Sequence, residues 1–253
     1  MSANTNKACC TIPPVKSNYS DFKGSYETIE GLNTYVTGDA SSKKAIVATQ
    51  DIFGQQPQTK QAADIVAAAT GARVYLPDYF HGKPIPLDAY PPDTKEKEEL
   101  INNFFGGVAA PPKNKEILVN FGKTLKSRGA TSVGAYGYCW GGKVTVLAGN
   151  SGTPFSAISQ IHPAMISAND ASSLTIPVAN FPSGDEEQDD IDAFQKAVKE
   201  NDNAGVSEES VFKHFKGMHH GWAAARADLE KEDNKKAYEE VYGLLADFFN
   251  KHL

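Results

Sequence analysis

The sequence predicts an α/β chain built on one mostly parallel, doubly wound sheet with helices on both faces. Three observations carry this expectation. From about residue 45 onward, short apolar runs alternate with helix-length segments, the pattern of repeated strand–helix crossovers. Upstream of them, two runs of alternating polarity flank Gly31 and read as an antiparallel hairpin. Finally, Gly137-Tyr138-Cys139-Trp140-Gly141-Gly142 separates a β-prone run from a helix-compatible one. That is the layout of a tight strand-to-helix turn at the carboxyl end of a strand, where such sheets bind ligands.

The elements follow in order. Tyr26 to Glu30 and Asn33 to Thr37 form the hairpin. Ala45 to Thr49 is continuously apolar, as a strand buried on both faces must be. Gln58 to Thr70 is an Ala-rich helix, and Ala72 to Leu76 is a strand stopped by Pro77-Asp78. A loop with four prolines spans Pro84 to Pro92. Thr94 to Phe105 and Asn114 to Ser127 read as helices separated by a Gly- and Pro-rich stretch. Ser132 to Tyr136 leads into the turn at Cys139, and Lys143 to Leu147 continues as helix. Phe155 to Ile161 and Ile176 to Phe181 are strands, Asp190 to Glu200 a helix, and Ser210 to Lys216 a strand. The last helix runs from about Asp233 to Lys251. Its apolar positions 237, 241, 244, 245 and 248 make a stripe that docks on a core.

Composition narrows the function classes. With 253 residues, 40% hydrophobic and 22% charged, the chain suits one globular domain over 20–253, preceded by a turn-rich arm over 1–19. A net charge of −6 without a basic stripe argues against nucleic acid as a partner. The first seven residues lack the apolar core of a signal peptide, and no run is long and apolar enough to span a bilayer. Three cysteines without framework spacing suggest a reducing compartment, hence a cytoplasmic protein. Cys9 and Cys10 lack the partners of a zinc site and read as thiols of the arm. No metal or cofactor is expected, and the assembly expected is a monomer or a weak homodimer.

The chemistry centres on Cys139. A nucleophile raised on such a turn lies at a helix N-terminus, where partial positive charge favours a thiolate and the oxyanion it generates. It needs a base and a group to orient that base, in the chain order nucleophile, acid, histidine. His220, in a loop before Gly221-Trp222, fits the base, with adjacent His219 as competitor. Asp185 follows a predicted strand and the turn Pro182-Ser183-Gly184, and is expected to turn inward while the acidic residues behind it stay solvated. Two main-chain amides should form an oxyanion hole, Trp140 after the nucleophile and Ile52 in the loop after the Ala45 to Thr49 strand. Phe53, Tyr79, Phe80, Tyr90, Trp140 and Trp222 either wall a small apolar pocket or belong to the core.

These segments resemble the dienelactone hydrolase family of α/β hydrolases, in particular its fungal-type members. The resemblance rests on Asp51-Ile52-Phe53-Gly54, the run Leu76 to Pro84, the turn at Cys139, Pro182 to Glu186, and His219-His220-Gly221-Trp222. It implies an α/β-hydrolase fold and a triad of Cys139, Asp185 and His220, and it favours His220 over His219. The implied reaction is hydrolysis of a small lactone or ester, carboxymethylenebutenolidase-like, through an acyl-thioester and without cofactor. A thioesterase or general carboxylesterase with the same triad, or a silent binding protein, is the alternative. The chain departs from the bacterial members at Asp51, where they place a Glu. It departs again where those members hold the substrate carboxylate with two arginines; Lys83 and Arg226 are either their substitutes or plain surface charges.

Overall fold

Strand β1 (Ser25–Ile29) pairs antiparallel with β2 (Leu32–Thr37) across the expected hairpin. Glu30 and Gly31 both take positive φ, 50° and 75°, as a two-residue turn of the mirror-image type I requires. The computed structural model describes residues 18–89 and 92–253. Cys9, Cys10 and Tyr90 lie outside the described residues.

β2 continues antiparallel onto β4 (Arg73–Pro77), which runs parallel to β3 (Lys44–Thr49). From there β5 (Ser132–Tyr138), β6 (Ala157–Ile161), β7 (Val178–Phe181) and β8 (Val211–Phe212) add in parallel, giving the order β1-β2-β4-β3-β5-β6-β7-β8. The central strands are apolar on both faces because both faces are covered. In β3, Ala45 and Val47 enter one core while Ile46 and Ala48 enter the other.

Helix α1 (Pro57–Thr70) and the terminal α8 (Glu232–His252) cover one face. The other face carries α2 (Lys95–Gly106), α3 (Pro111–Ser127), α4 (Trp140–Leu147), α5 (Ala168–Ser172) and α6 (Gln188–Lys199). α3 starts three residues earlier than expected, because Pro111 at its first position needs no hydrogen-bond acceptor and already has helical φ. α5 and the four-residue α7 (Val206–Glu209) were not expected; one turn of helix is too short for a periodic signal.

The expected strand Ser210 to Lys216 is a correction: only Val211 and Phe212 pair with β7. The ladder breaks at His214, whose Nε2 lies 2.9 Å from the Ser183 carbonyl. Pairing resumes one residue on, where the Phe215 N–H donates to the Pro182 carbonyl at 2.8 Å. This break leads directly into the segment that bears His219 and His220.

Candidate active site

Cys139 sits between β5 and α4 with φ 50° and ψ −116°. A non-glycine residue held there stores roughly 1–3 kcal/mol of strain, which the surroundings must enforce. They do so through the main chain. The Cys139 N–H donates to the Ile161 carbonyl at 3.2 Å, and its carbonyl accepts from Gly142 at 3.1 Å and Ala164 at 3.0 Å. The flanking glycines are required by space. A Cβ at Gly137 would stand 2.1 Å from the Gly141 carbonyl oxygen, and one at Gly141 would stand 2.4 Å from that of Thr49. Strand β3 therefore passes directly against the first turn of α4. Cys139 is 3% exposed and takes part in no disulfide.

The loop after β3 wraps the same region. Asp51 is buried, and its two carboxylate oxygens accept the main-chain N–H groups of Phe53 at 2.9 Å and Ala225 at 3.2 Å. One side chain thus ties the loop after β3 to the loop before α8. The amides of Ile52 and Trp140, both expected in an oxyanion hole, donate to no acceptor among the described residues. The Trp140 amide directly follows Cys139 in the first turn of α4, a position suited to developing negative charge.

His220 is 1% exposed. Its Nδ1 lies 2.6 Å from Oε1 of Glu186, not from Asp185. Glu186 is itself buried and is gripped by Ser183, whose N–H and Oγ both donate to its carboxylate. Asp185 is exposed, and its carboxylate accepts the His220 main-chain N–H at 2.6 Å. The expectation that Asp185 alone of the acidic run turns inward is therefore corrected. The turn at Gly184 places Asp185 on the outer side, and the longer Glu186 folds back under it. The Ser-x-x-Glu spacing of residues 183–186 is the signal that marks this reach, since it lets serine and glutamate bond reciprocally.

His219 points elsewhere. Its Nδ1 lies 3.0 Å from the His220 carbonyl. It lines a surface cavity of about 410 Å³, along with Met218, Asp228 and Asn234. Burial, and then nearby Arg226, hold its imidazole below the ordinary pKa. His162, a residue the sequence does not single out, is fully buried at the end of β6 with its ring centroid 5.1 Å from that of His220.

The substrate-binding expectations divide. Phe53, Tyr79, Phe80 and Trp140 share one apolar cluster with Cys139. Trp140 stacks edge-on against Tyr79 at 6.0 Å, lies tilted on Phe80 at 4.8 Å, and donates its Nε1–H to the Ala109 carbonyl at 2.7 Å. Trp222 does not join them. It packs on Phe215 at 4.6 Å in the core beneath α8, on the opposite face. Arg226 is 1% exposed, with its methylenes against Gly221. Lys83 is exposed at the end of the turn that follows β4. Among the described residues no cluster of acidic, histidine and cysteine side chains suits a metal, and no helix is long and apolar enough to cross a membrane.

The strand order and the strained turn between β5 and α4 define an α/β-hydrolase fold. The chain belongs to the dienelactone hydrolase family, whose model matches residues 32–253. It is 36% identical over 248 residues to an uncharacterized AIM2 family protein of Schizosaccharomyces pombe, covering 96% of this chain and 98% of the relative. A carboxymethylenebutenolidase homolog of Homo sapiens is 24% identical over 230 residues, 89% of each chain. In three dimensions the chain resembles a putative dienelactone hydrolase from Klebsiella pneumoniae, with a TM-score of 0.65 at 16% identity, covering 88% of this chain and 98% of that one.

Proposed function

We propose that the protein hydrolyses a small lactone or ester through Cys139, with His220 as base, Glu186 as the group that orients it, and the Ile52 and Trp140 amides as the oxyanion hole. The observation that carries this reading is the buried His220–Glu186 pair at 2.6 Å, found on the loop where the family's order puts the base, with His162 packed between it and Tyr138, the residue before the strained Cys139. Glu186 holds Nδ1, so proton transfer falls to Nε2. The family resemblance named Asp185 for the orienting role; the hydrogen bonds favour its neighbour.

In the proposed cycle the Cys139 sulfur attacks the acyl carbon and the carbonyl oxygen takes the charge at the two amides. The alkoxide or enolate leaves with a proton from His220. Water then adds to the thioester, gives a proton to His220, and expels the thiolate as the acid departs. The aromatic cluster around Cys139 suits a compact substrate. Buried Arg226, rather than exposed Lys83, is suited to meet a substrate carboxylate. Brief exposure to p-nitrophenyl acetate, followed by peptide mass spectrometry, should place an acyl group on Cys139. Cys139→Ala should neither be labelled there nor turn over the ester or the lactone. Equal hydrolysis by the variant and the parent would remove the proposal.

A further inference from the structure

Among the described residues, His162 is a buried ionisable side chain packed on the base that the proposed cycle leaves without a task. It follows β6 with φ 38°. Its ring lies flat against Tyr138, the residue before Cys139, at 5.8 Å and 21°, and meets the His220 ring edge-to-face at 5.1 Å and 65°. The main chain fixes it. The His162 N–H donates to the Phe181 carbonyl at 2.8 Å, while Ile161, just before it, and Ala164, two residues after it, bond the nucleophile's own main chain. The ring is wedged between the strand that carries the nucleophile and the loop that carries the base.

A phenyl group would fill this wedge at less cost. Apart from its own main chain, neither ring nitrogen of His162 meets a hydrogen-bond partner among the described residues, and the residue is 0% exposed. Burying a polar ring that way is unfavourable unless a partner arrives. Burial above all, with repulsion from His220, His219 and Arg226, holds the imidazole well below its ordinary pKa. A neutral imidazole offers one donor and one acceptor and no charge. It suits an uncharged polar molecule rather than a carboxylate. The place it addresses is beside the imidazole that must deprotonate the attacking water.

We propose that His162 binds the hydrolytic water of the deacylation step and holds it against His220. The idea rests on the thioester reading above and deepens it. The bound water adds its oxygen to the acyl carbon of the Cys139 thioester while one of its protons passes to His220 Nε2. Collapse of the adduct breaks the carbon–sulfur bond, and the proton returns from His220 to the thiolate. Acylation needs no water, so His162 has no part in it.

Rapid mixing with p-nitrophenyl acetate separates the two steps. His162→Phe keeps the ring stacking and removes both nitrogens. Its burst of p-nitrophenol should stay within about threefold of the parent, while steady turnover falls at least tenfold, KM falls with kcat, and acetyl-Cys139 accumulates. His162→Asn, which restores a hydrogen-bonding group and tolerates positive φ, should recover part of the steady rate without changing the burst. The inference fails if the Phe variant turns over within twofold of the parent, or if burst and steady rate fall in proportion. Should that variant not fold, His162→Met carries the same two readings. An unlabelled Cys139 in the parent would instead overturn the thioester reading itself.

Discussion

Asp185 and Glu186 are adjacent acids that do different work on one histidine. Glu186 meets the ring, and Asp185 meets the main-chain N–H. Glu186→Gln keeps the shape but offers its amide NH₂ or its weaker carbonyl to Nδ1, so the tautomer and the stabilised imidazolium are lost. We expect kcat to fall by roughly 10²–10⁴-fold. Asp185→Asn should cost less than about tenfold, since it keeps an acceptor for the main-chain N–H and weakens one part-buried hydrogen bond by about 1 kcal/mol. Kinetics with p-nitrophenyl acetate decide, and the opposite ranking would return the orienting role to Asp185. Arg226→Met should raise KM for a carboxylate-bearing lactone about 10–100-fold, the scale of a lost charged hydrogen bond, and leave a neutral ester nearly unaffected; equal effects on both substrates would make Arg226 a packing residue. The strained turn at Cys139 and the loop position of His220 were legible because glycines and chain order surround them with constraints visible in one dimension. Glu186 was not, because the choice between neighbouring acids is made by a turn at Gly184, where a Cβ would stand 2.3 Å from the Lys216 carbonyl oxygen. His162 was passed over because its meaning comes from Tyr138 and His220, which are distant from it in sequence.

At the scale of elements, the turn into α4 joins stability to chemistry. A Cβ at Gly141 would stand 2.4 Å from the Thr49 carbonyl oxygen and 2.5 Å from that of Gln50, and the chain reaches the Ile52 amide two residues after Gln50. Gly141→Ala must separate β3 from α4. It should destabilise by about 1–3 kcal/mol or more, as overpacking does, and lower activity beyond that loss by moving apart the Trp140 and Ile52 amides proposed for the oxyanion hole. Gly243 makes the contrast. It is exposed within α8 and a Cβ there would meet nothing within 4 Å. Gly243→Ala should therefore stabilise by up to about 1 kcal/mol with activity unchanged. Urea midpoints measure both; a tolerated Gly141→Ala would mean that the two elements can part without harm. Most strands and helices were readable because long, doubly covered elements repeat their apolar period. β8 was misread because its apolar residues continue past the two that pair, and its end is set by a side-chain bond from His214 to another loop.

Across the whole molecule, burial is the first influence on the histidines whose titration shifts. His162, His219 and His252 all have imidazoles held below their ordinary pKa, with burial as the first cause in each. Such a group prefers to be neutral in the fold and takes up its proton first in the unfolded chain, near pH 6.5. Below that pH the unfolded state binds more protons, so stability rises with pH there and falls as the solution is acidified. The contribution is complete above about pH 6.5 and is lost on the acid side. For fully buried His162 the loss approaches at most about 1.4 kcal/mol per pH unit between its two pKa values. His219 and His252 add less, because solvent screens them. Lowering the pH from 7.5 to 5.5 should therefore reduce Tm steadily, with the slope beginning near neutrality. His162→Phe, which has no proton to take up, should flatten that slope while the parent keeps it. A parent Tm that is level or rising toward pH 5.5 would show that the imidazoles bury charge in the fold, and would remove the neutral ring on which a water-binding role for His162 depends.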